Sequence, residues 1–280
     1  MIDVCDIQVM KPMLAAHGFH FSKAKGQNFL IAPWVPQSIA EQAGVDETAG
    51  VLEIGPGIGP LTQQLCLRAK KVCAVELDER LAPILELTVG EFDNLEIIWN
   101  DVLRLDLPAL VKGEFEGLRP MACANLPYYI TSKCLLHVME SGAPVERFTA
   151  MVQKEVADRL AAREGEKEYG ALSASLAYYG RTEKLFGVSR GCFLPEPDVD
   201  SAVIQLCPQI CFPVERAAYA RVVRGLFSMR RKTVLNNMKS ALGLRGEQAQ
   251  AALEAAGISP AARAETLSPE DFARLVGILG

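Results

Sequence analysis

Four residues spaced by about one strand-and-helix unit constrain this chain more than any other feature. Gly50-Val51-Leu52-Glu53-Ile54 reads as a strand, Gly55-Pro56-Gly57-Ile58-Gly59 as the loop after it, and 60–69 as a helix. Glycines at such a turn let the backbone approach a ligand and leave amide groups free at the helix start. The next strand, Val72-Cys73-Ala74-Val75-Glu76, ends in an acid 21 residues past Gly55, the position that grips ribose hydroxyls in dinucleotide folds. A third strand, Leu95-Glu96-Ile97-Ile98-Trp99, runs into Asn100-Asp101, where a carboxylate can accept from the amino group of an adenine. A fourth, Met121-Ala122-Cys123-Ala124, ends at Asn125. A lone glycine triplet is a weak signal, but strand, loop, helix, strand and acid in this order is a strong one.

These spacings place Gly55, Glu76, Asp101 and Asn125 along one edge of a parallel sheet, the carboxyl edge at which open α/β sheets bind ligands. The predicted fold class is therefore α/β with a Rossmann-like sheet, and its cleft suits an adenosine-containing cofactor.

Asn125-Leu126-Pro127-Tyr128 stands at the mouth of that cleft. Pro127 fixes its own φ and biases Leu126 to an extended conformation, so the Leu126 carbonyl and the Asn125 amide can aim at one point. Two aimed acceptors suit an exocyclic amine. Tyr128 can lie against the face of a planar base, as in pockets that hold a nucleobase out of its stack; the plainer alternative is a loop whose tyrosines cap the core.

Further along, 132–141, 154–163 and the alanine-rich 169–179 read as helices, and 148–152 as a strand. The segments 184–190 and 202–207 bracket Phe193-Leu194-Pro195-Glu196-Pro197-Asp198-Val199-Asp200-Ser201. Its two prolines make it stiff and extended, with Phe193 either presented from it or buried as a core residue. From about residue 211 the pattern is helical only: 213–229, 232–242, 246–256 and 269–279. Val223, Leu226, Phe227, Val234 and Met238 form an apolar stripe that leaves Arg224, Arg231 and Lys232 free to project. Two domains are predicted, a catalytic one over 1–210 with an amino-terminal arm and a small helical one over 211–280.

The net charge of −5 argues against a protein that coats nucleic acid without selectivity, yet the charge is unevenly placed. No acid lies between Asp6 and Glu41, where Lys11, Lys23 and Lys25 stand. None lies between Glu215 and Glu247, a stretch holding Arg216, Arg221, Arg224, Arg230, Arg231, Lys232, Lys239 and Arg245. Two basic patches therefore sit on an acidic body. The eight cysteines contain no C-x-x-C pair and read as buried thiols, so no metal is expected; Cys207-x-x-x-Cys211 lacks a second ligand pair. No apolar run approaches the ~18–20 residues of a spanning helix, and the first thirty residues carry charges instead of a signal-peptide core. The expected setting is cytoplasmic, without a membrane.

Taken together, these motifs resemble the small-subunit rRNA adenine N6,N6-dimethyltransferases (the KsgA/RsmA type) over almost the whole chain. Gly26-Gln27-Asn28-Phe29-Leu30 is similar to the family's amino-terminal motif, Glu53 to Gly59 to its glycine loop, Glu76 and Asp101 to its two acids, and Asn125-Leu126-Pro127-Tyr128 to its catalytic loop. Phe193-x-Pro195-x-Pro197-x-Val199-Asp200-Ser201 resembles its target-side motif, and Phe227-Ser228-Met229-Arg230-Arg231-Lys232-Thr233 its carboxyl-terminal basic helix. Asp198 departs from the pattern, standing where a basic residue is commoner.

The resemblance implies a seven-stranded sheet with its last strand antiparallel, S-adenosyl-L-methionine as donor, and donor contacts from Asn28, Leu30, Gly55, Glu76, Asp101 and Asn125 with their neighbours Gly57, Leu77 and Val102. It implies Asn125, Leu126, Pro127, Tyr128 and Phe193 around the target base, and an RNA-facing set of Lys23, Lys25, Arg224, Arg230, Arg231 and Lys232. Its implied reaction is double methylation at N6 of two adjacent adenines in a helix-end loop of small-subunit rRNA. The implied substrate setting is an immature ribosomal subunit, the enzyme acting as a monomer. Three alternatives share parts of the pattern: an Erm-type methyltransferase of large-subunit rRNA, a ribosome-assembly factor that mainly binds, and a nicotinamide dehydrogenase, which leaves Asn-Leu-Pro-Tyr unexplained.

Overall fold

Runs rich in valine, isoleucine and alanine build the sheet, because strands buried on both faces need apolar side chains pointing each way. The computed structural model describes residues 2–19, 28–125, 130–209 and 212–280. It divides into two compact units, one of Met1–Ala157 with Lys184–Pro208 and the other of Asp158–Glu183 with Gln209–Gly280.

In chain order the first unit begins with α1 (Ile7–Ala16), β1 (Phe29–Leu30), α2 (Trp34–Ala43), β2 (Ala49–Ile54), α3 (Pro60–Cys66), β3 (Lys71–Glu76), α4 (Ala82–Val89) and β4 (Leu95–Trp99). It continues through α5 (Leu107–Glu114), β5 (Arg119–Asn125), α6 (Thr131–Ser141) and β6 (Arg147–Gln153) into α7 (Lys154–Ala161), which runs across the division at residue 157. After α8 (Ala171–Leu176) come β7 (Gly180–Val188), β8 (Phe193–Leu194) and β9 (Ser201–Pro208). The sheet has seven strands in the order β4-β3-β2-β5-β6-β9-β7. Pairing is parallel from β4 through β6, and β9 joins β6 antiparallel.

Sheet order reverses between β2 and β5: β3 and β4 lie to one side of β2, and β5 and β6 to the other. That is the switch point at which crossovers leave in opposite directions and open a crevice. Every residue of β2 is buried, as a central strand requires. Val35 and Ile39 of α2 and Leu61 and Leu65 of α3 pack with Val51, Met121 and Cys123 in one cluster on the sheet.

A separate two-stranded sheet pairs β1 with β8 antiparallel, Leu30 opposite Phe193 and Phe29 opposite Leu194. Ile31 N–H donates to the Cys192 carbonyl at 2.9 Å and extends the pairing. Alternation along a strand then sorts the four side chains. Leu30 and Phe193 join the cluster of α2 and α3, whereas Phe29 and Leu194 lie against a second cluster of Met10, Leu14, Ile84, Leu85 and Val89. From Phe29 onward, the segment similar to the family's amino-terminal motif is a strand docked on the Phe-x-Pro-x-Pro segment.

In the second unit, α9 (Arg216–Phe227), α10 (Val234–Ala241), α11 (Gly246–Ala255) and α12 (Pro269–Leu279) form the helical part. The sequence reading drew one boundary, at 210/211; the structure groups 158–183 with the helices as well. The cause is aromatic packing: Tyr169, Ala174 and Tyr178 share a core with Tyr219, Leu226, Met238 and Phe272. Tyr219 Oη donates to the Ala174 carbonyl at 3.0 Å and Tyr169 Oη to that of Leu267 at 3.1 Å.

Of the two readings of Phe193, presented or core, the structure shows the second: the ring is only 4% exposed and belongs to the core. Phe193→Ala should therefore lower stability by about 3–5 kcal/mol, as buried phenylalanine truncations do. Urea denaturation of the RNA-free protein checks this, and an unchanged midpoint would return the ring to a surface role.

Candidate active site

The three loop glycines adopt left-handed conformations, with φ of 72°, 61° and 93° at Gly55, Gly57 and Gly59. At Gly59 a β-carbon would come within 2.8 Å of Val89 Cγ1 and 3.0 Å of Thr88 Oγ1, so the loop can lie against α4 only without a side chain. At Gly57 a β-carbon would meet nothing within 4 Å. The second glycine thus borders open space, which is what close approach of a ligand to the backbone needs.

Glu76 closes this loop from β3. Its Oε2 accepts from the Gly57 N–H at 3.2 Å and its Oε1 from the Leu77 and Asp78 N–H groups at 2.9 Å each. Burial at 8% exposure raises its pKa from the ordinary carboxylate value, against the downward pull of the three amide bonds. Leu77 stands 66% exposed directly after it. At the end of β4, Asn100 Oδ1 accepts from the Asp101 N–H at 2.8 Å, and Asp101 Oδ1 accepts from that of Leu103 at 3.0 Å. These bonds hold the Asp101 carboxylate at the sheet edge, where its side chain keeps 29% of its surface exposed. Val102 is buried beneath it.

Asn125 ends β5 opposite Met151 of β6 and is half-buried; among the described residues its amide has no hydrogen-bond partner. Leu126, Pro127 and Tyr128 lie outside the described residues, as do Lys23 and Lys25. On the amino-terminal side, Asn28 is half-buried and Leu30 fully buried. Gly55, Gly57, Glu76, Asp101 and Asn125 therefore share the carboxyl edge on either side of the switch point. Leu30 contributes packing on β1. The target-side acid Asp200 is a structural acceptor, taking the Arg190 N–H at 2.9 Å, and Glu196 pairs with the Arg190 guanidinium at 2.8 Å.

Sequence reasoning missed Glu53 as a group of interest in itself. It is 1% exposed, and neither carboxyl oxygen has a hydrogen-bond partner among the described residues; nor has Thr62 Oγ1. Burial is the main reason its pKa is pushed up to about 8, with the nearby Thr62 hydroxyl opposing the rise and the Glu76 charge adding to it. Only the break in alternation marks it in the sequence, an acid inside the apolar run of β2.

In the second unit the run Arg230-Arg231-Lys232 does not form a helix. Arg230, Arg231 and Lys232 occupy the turn between α9 and α10, because the Thr233 hydroxyl accepts from the Asn236 N–H and starts α10 there. The fully buried Asn237 ties that turn down, its Nδ2 donating to the carbonyls of Leu226 at 2.6 Å and Met229 at 3.2 Å. Arg230 is anchored on Glu265 at 3.3 Å and on the Lys167 carbonyl at 3.0 Å. Arg224, Arg231 and Lys232 are exposed, without an ion-pair partner among the described residues.

Among the described residues no cluster of histidine, cysteine and acid could hold a metal, and no helix is long and apolar enough to cross a membrane. Cys211, half of the cysteine pair considered above, lies outside them.

Three comparisons bear on this geometry. The family described as ribosomal RNA adenine dimethylase matches residues 18–280. The curated protein "Ribosomal RNA small subunit methyltransferase A" of Geobacillus thermodenitrificans is 45% identical over 96% of this chain and 94% of its own length. Its namesake in Bacillus mycoides is 43% identical over 100% and 98%. Among solved structures, a dimethyladenosine transferase from Plasmodium falciparum is similar with a TM-score of 0.74 at 25% identity, covering 88% of this chain and 95% of that one. The 23S rRNA methyltransferase ErmE is similar with a TM-score of 0.69 at 28% identity, covering 90% and 99%.

The Glu53 carboxyl makes a pH dependence testable. Its folded-state value lies above the ordinary 4.5, so the native state holds a proton that the unfolded chain releases, and stability is lost as pH rises from about 4.5 to about 8. Glu53→Gln should match the wild type near pH 4 and exceed it by roughly 3–5 kcal/mol at pH 8. Denaturation midpoints across that range measure the difference, and parallel curves for the two proteins would refute it.

Proposed function

The chain belongs to the ribosomal RNA adenine dimethylase family, and from that premise we propose that it transfers methyl groups from S-adenosyl-L-methionine to N6 of two adjacent adenines in small-subunit rRNA. The observation that carries this reading is the shared edge: Gly57 with open space beside it, the Glu76 and Asp101 carboxylates, and Asn125 across the switch point. These residues fit the donor. Glu76 and Asp101 offer acceptors for ribose hydroxyls and an adenine amino group, and the exposed Leu77 offers an apolar surface for the adenine face. When bound, the donor supplies an electrophilic methyl on a sulfonium.

The chain's own contribution is position. Adenine N6 is a poor nucleophile because its lone pair is delocalised into the ring. The Asn125 carbonyl oxygen, and in the family's pattern the Leu126 carbonyl, accept from the amino hydrogens and favour a tetrahedral nitrogen whose lone pair is free to attack in line. With the donor bound, the amino nitrogen so held would take the methyl as the S–C bond broke and would lose its proton to solvent, while Asn125 keeps the amino group in place. No strong base is required. Tyr128 supplies a stacking face for the flipped base. In the second unit, Arg224, Arg231 and Lys232 offer phosphate contacts, and Arg230 stiffens the turn that carries two of them.

The relatives at 43–45% identity carry the small-subunit name, whereas the ErmE likeness stands at 28%. That contrast favours small-subunit rRNA over the large-subunit alternative. We assign the protein to the cytoplasm as a monomer acting on an immature small subunit.

The test is methyl transfer from labelled S-adenosylmethionine to small subunits isolated from a strain lacking this modification, the product identified by mass spectrometry. Two dimethyladenines are expected, and Asn125→Ala should lose at least about 100-fold in turnover while keeping its fold. Label confined to large-subunit rRNA, or normal turnover by the variant, would overturn the assignment.

A further inference from the structure

Glu53 lies outside the groups given to donor, base or RNA, and its surroundings define a role for it. It sits on β2 two residues before Gly55, in register with Cys123 of β5 and Ala74 of β3. Alternation puts it on the same face as Val51, the face that packs against α3. The groups that act on it are Glu76 from β3, Thr62 and Cys66 from α3, and Cys123 from β5; none is a cation. A carboxyl 1% exposed beside an anion, with no cation among the groups that act on it and only the Thr62 hydroxyl to favour its charge, is held toward its neutral form.

Gly55 and Asn125 lie about 7 Å further along their strands, two residues on from Glu53 and from Cys123 beside it. The path between is buried strand and loop, so a charge arriving at that edge is felt at Glu53 with little screening. Methyl transfer changes the charge there by one unit, from a sulfonium to a neutral thioether.

We propose that Glu53 is a charge-sensing positioning residue: it releases its proton when the cationic donor binds and recovers it once transfer has left the neutral product. An ionised Glu53 attracts the donor's sulfonium charge, which the product lacks, so the site discriminates S-adenosylmethionine from S-adenosylhomocysteine, most strongly at neutral pH and above. The proton passes to solvent on binding and returns from solvent afterwards; no bond forms between Glu53 and the ligand. Below pH 6 the proton is harder to displace, and affinity for the donor declines faster than affinity for the product. This inference rests on S-adenosylmethionine being the ligand of the crevice.

The experiment is isothermal titration calorimetry of the full chain with S-adenosylmethionine and S-adenosylhomocysteine, in two buffers of different ionisation enthalpy, for wild type and Glu53→Gln. The ligands' own amino groups titrate equally with both proteins, so the readout is wild type minus variant. The expected result is an excess release of a fraction of a proton with S-adenosylmethionine and none with S-adenosylhomocysteine. Preference for the donor should fall about 3- to 10-fold in the variant at pH 7.5. Equal proton release by the two proteins with donor binding intact would overturn the inference alone, and absence of donor binding to the wild type would overturn the reading beneath it. Infrared difference spectra of the wild type serve if the variant does not fold. A protonated-carboxyl band should vanish with S-adenosylmethionine and persist with S-adenosylhomocysteine, and its persistence with both would count against the role.

Discussion

Parallel pairing of β2 with both β3 and β5 is the arrangement on which the rest of the catalytic unit depends. Since β2 carries neighbours on each side, with Ile54 level with Val75 and Ala124, the loops that follow all three strands emerge at one edge. Crossovers leave β2 and β5 in opposite directions, so these loops part and leave a crevice between them. The glycine loop, the acid after β3 and the asparagine after β5 acquire their proximity from this pairing and from no contact among themselves, with one exception. The bond from Gly57 N–H to Glu76 ties the loop to the neighbouring strand and sets the open side of the glycine toward the ligand.

Much of this was legible because it is periodic and local. Strand ends at Ile54, Glu76, Trp99 and Asn125 follow from short apolar runs ended by breakers or polar residues, and the structure reproduces each. What was not legible is what depends on distant pairing. Nothing in Phe29-Leu30 announces a partner more than 160 residues away, yet its pairing with Phe193-Leu194 decides that Phe193 faces the core. The same holds for Tyr169 and Tyr178, whose alanine-rich neighbourhood reads as a helix of the sheet domain until Tyr219 and Phe272 supply the packing. The resemblance implied a basic helix over 227–233, whereas the periodicity alone already left Arg230 and Arg231 between two helices. The capping hydroxyl of Thr233 and the side chain of Asn237 decided for a turn.

In the proposed reading, that turn is what lets a chain of net charge −5 address RNA. Phosphate contacts are short-ranged at physiological salt, where screening acts within about 8 Å, so the local array matters more than the sum. A basic run on a regular helix would spread its charges around the axis. Confined to a turn whose backbone is held from within by a buried asparagine, Arg231 and Lys232 project from one place, and Arg230 is spent on Glu265 to keep it there.

Glu53 and Glu76 place two carboxyls at the end of adjacent parallel strands, and they have opposite means of enduring burial. Glu76 accepts from three amide N–H groups, which oppose the rise that burial gives its pKa; Glu53 has no such bond among the described residues, and burial pushes its pKa up to about 8. Had both been ionised, their repulsion would have acted through strand and loop with little water to weaken it. Had Glu53 been apolar, β2 would have gained stability, since an unpaired buried polar group costs roughly 1–3 kcal/mol. A strand that is otherwise uniformly apolar has no structural need for an acid at that position. Its retention two residues below the crevice is intelligible if the group responds to what binds there, because a proton that can leave is the one form of charge a dry interior can supply on demand.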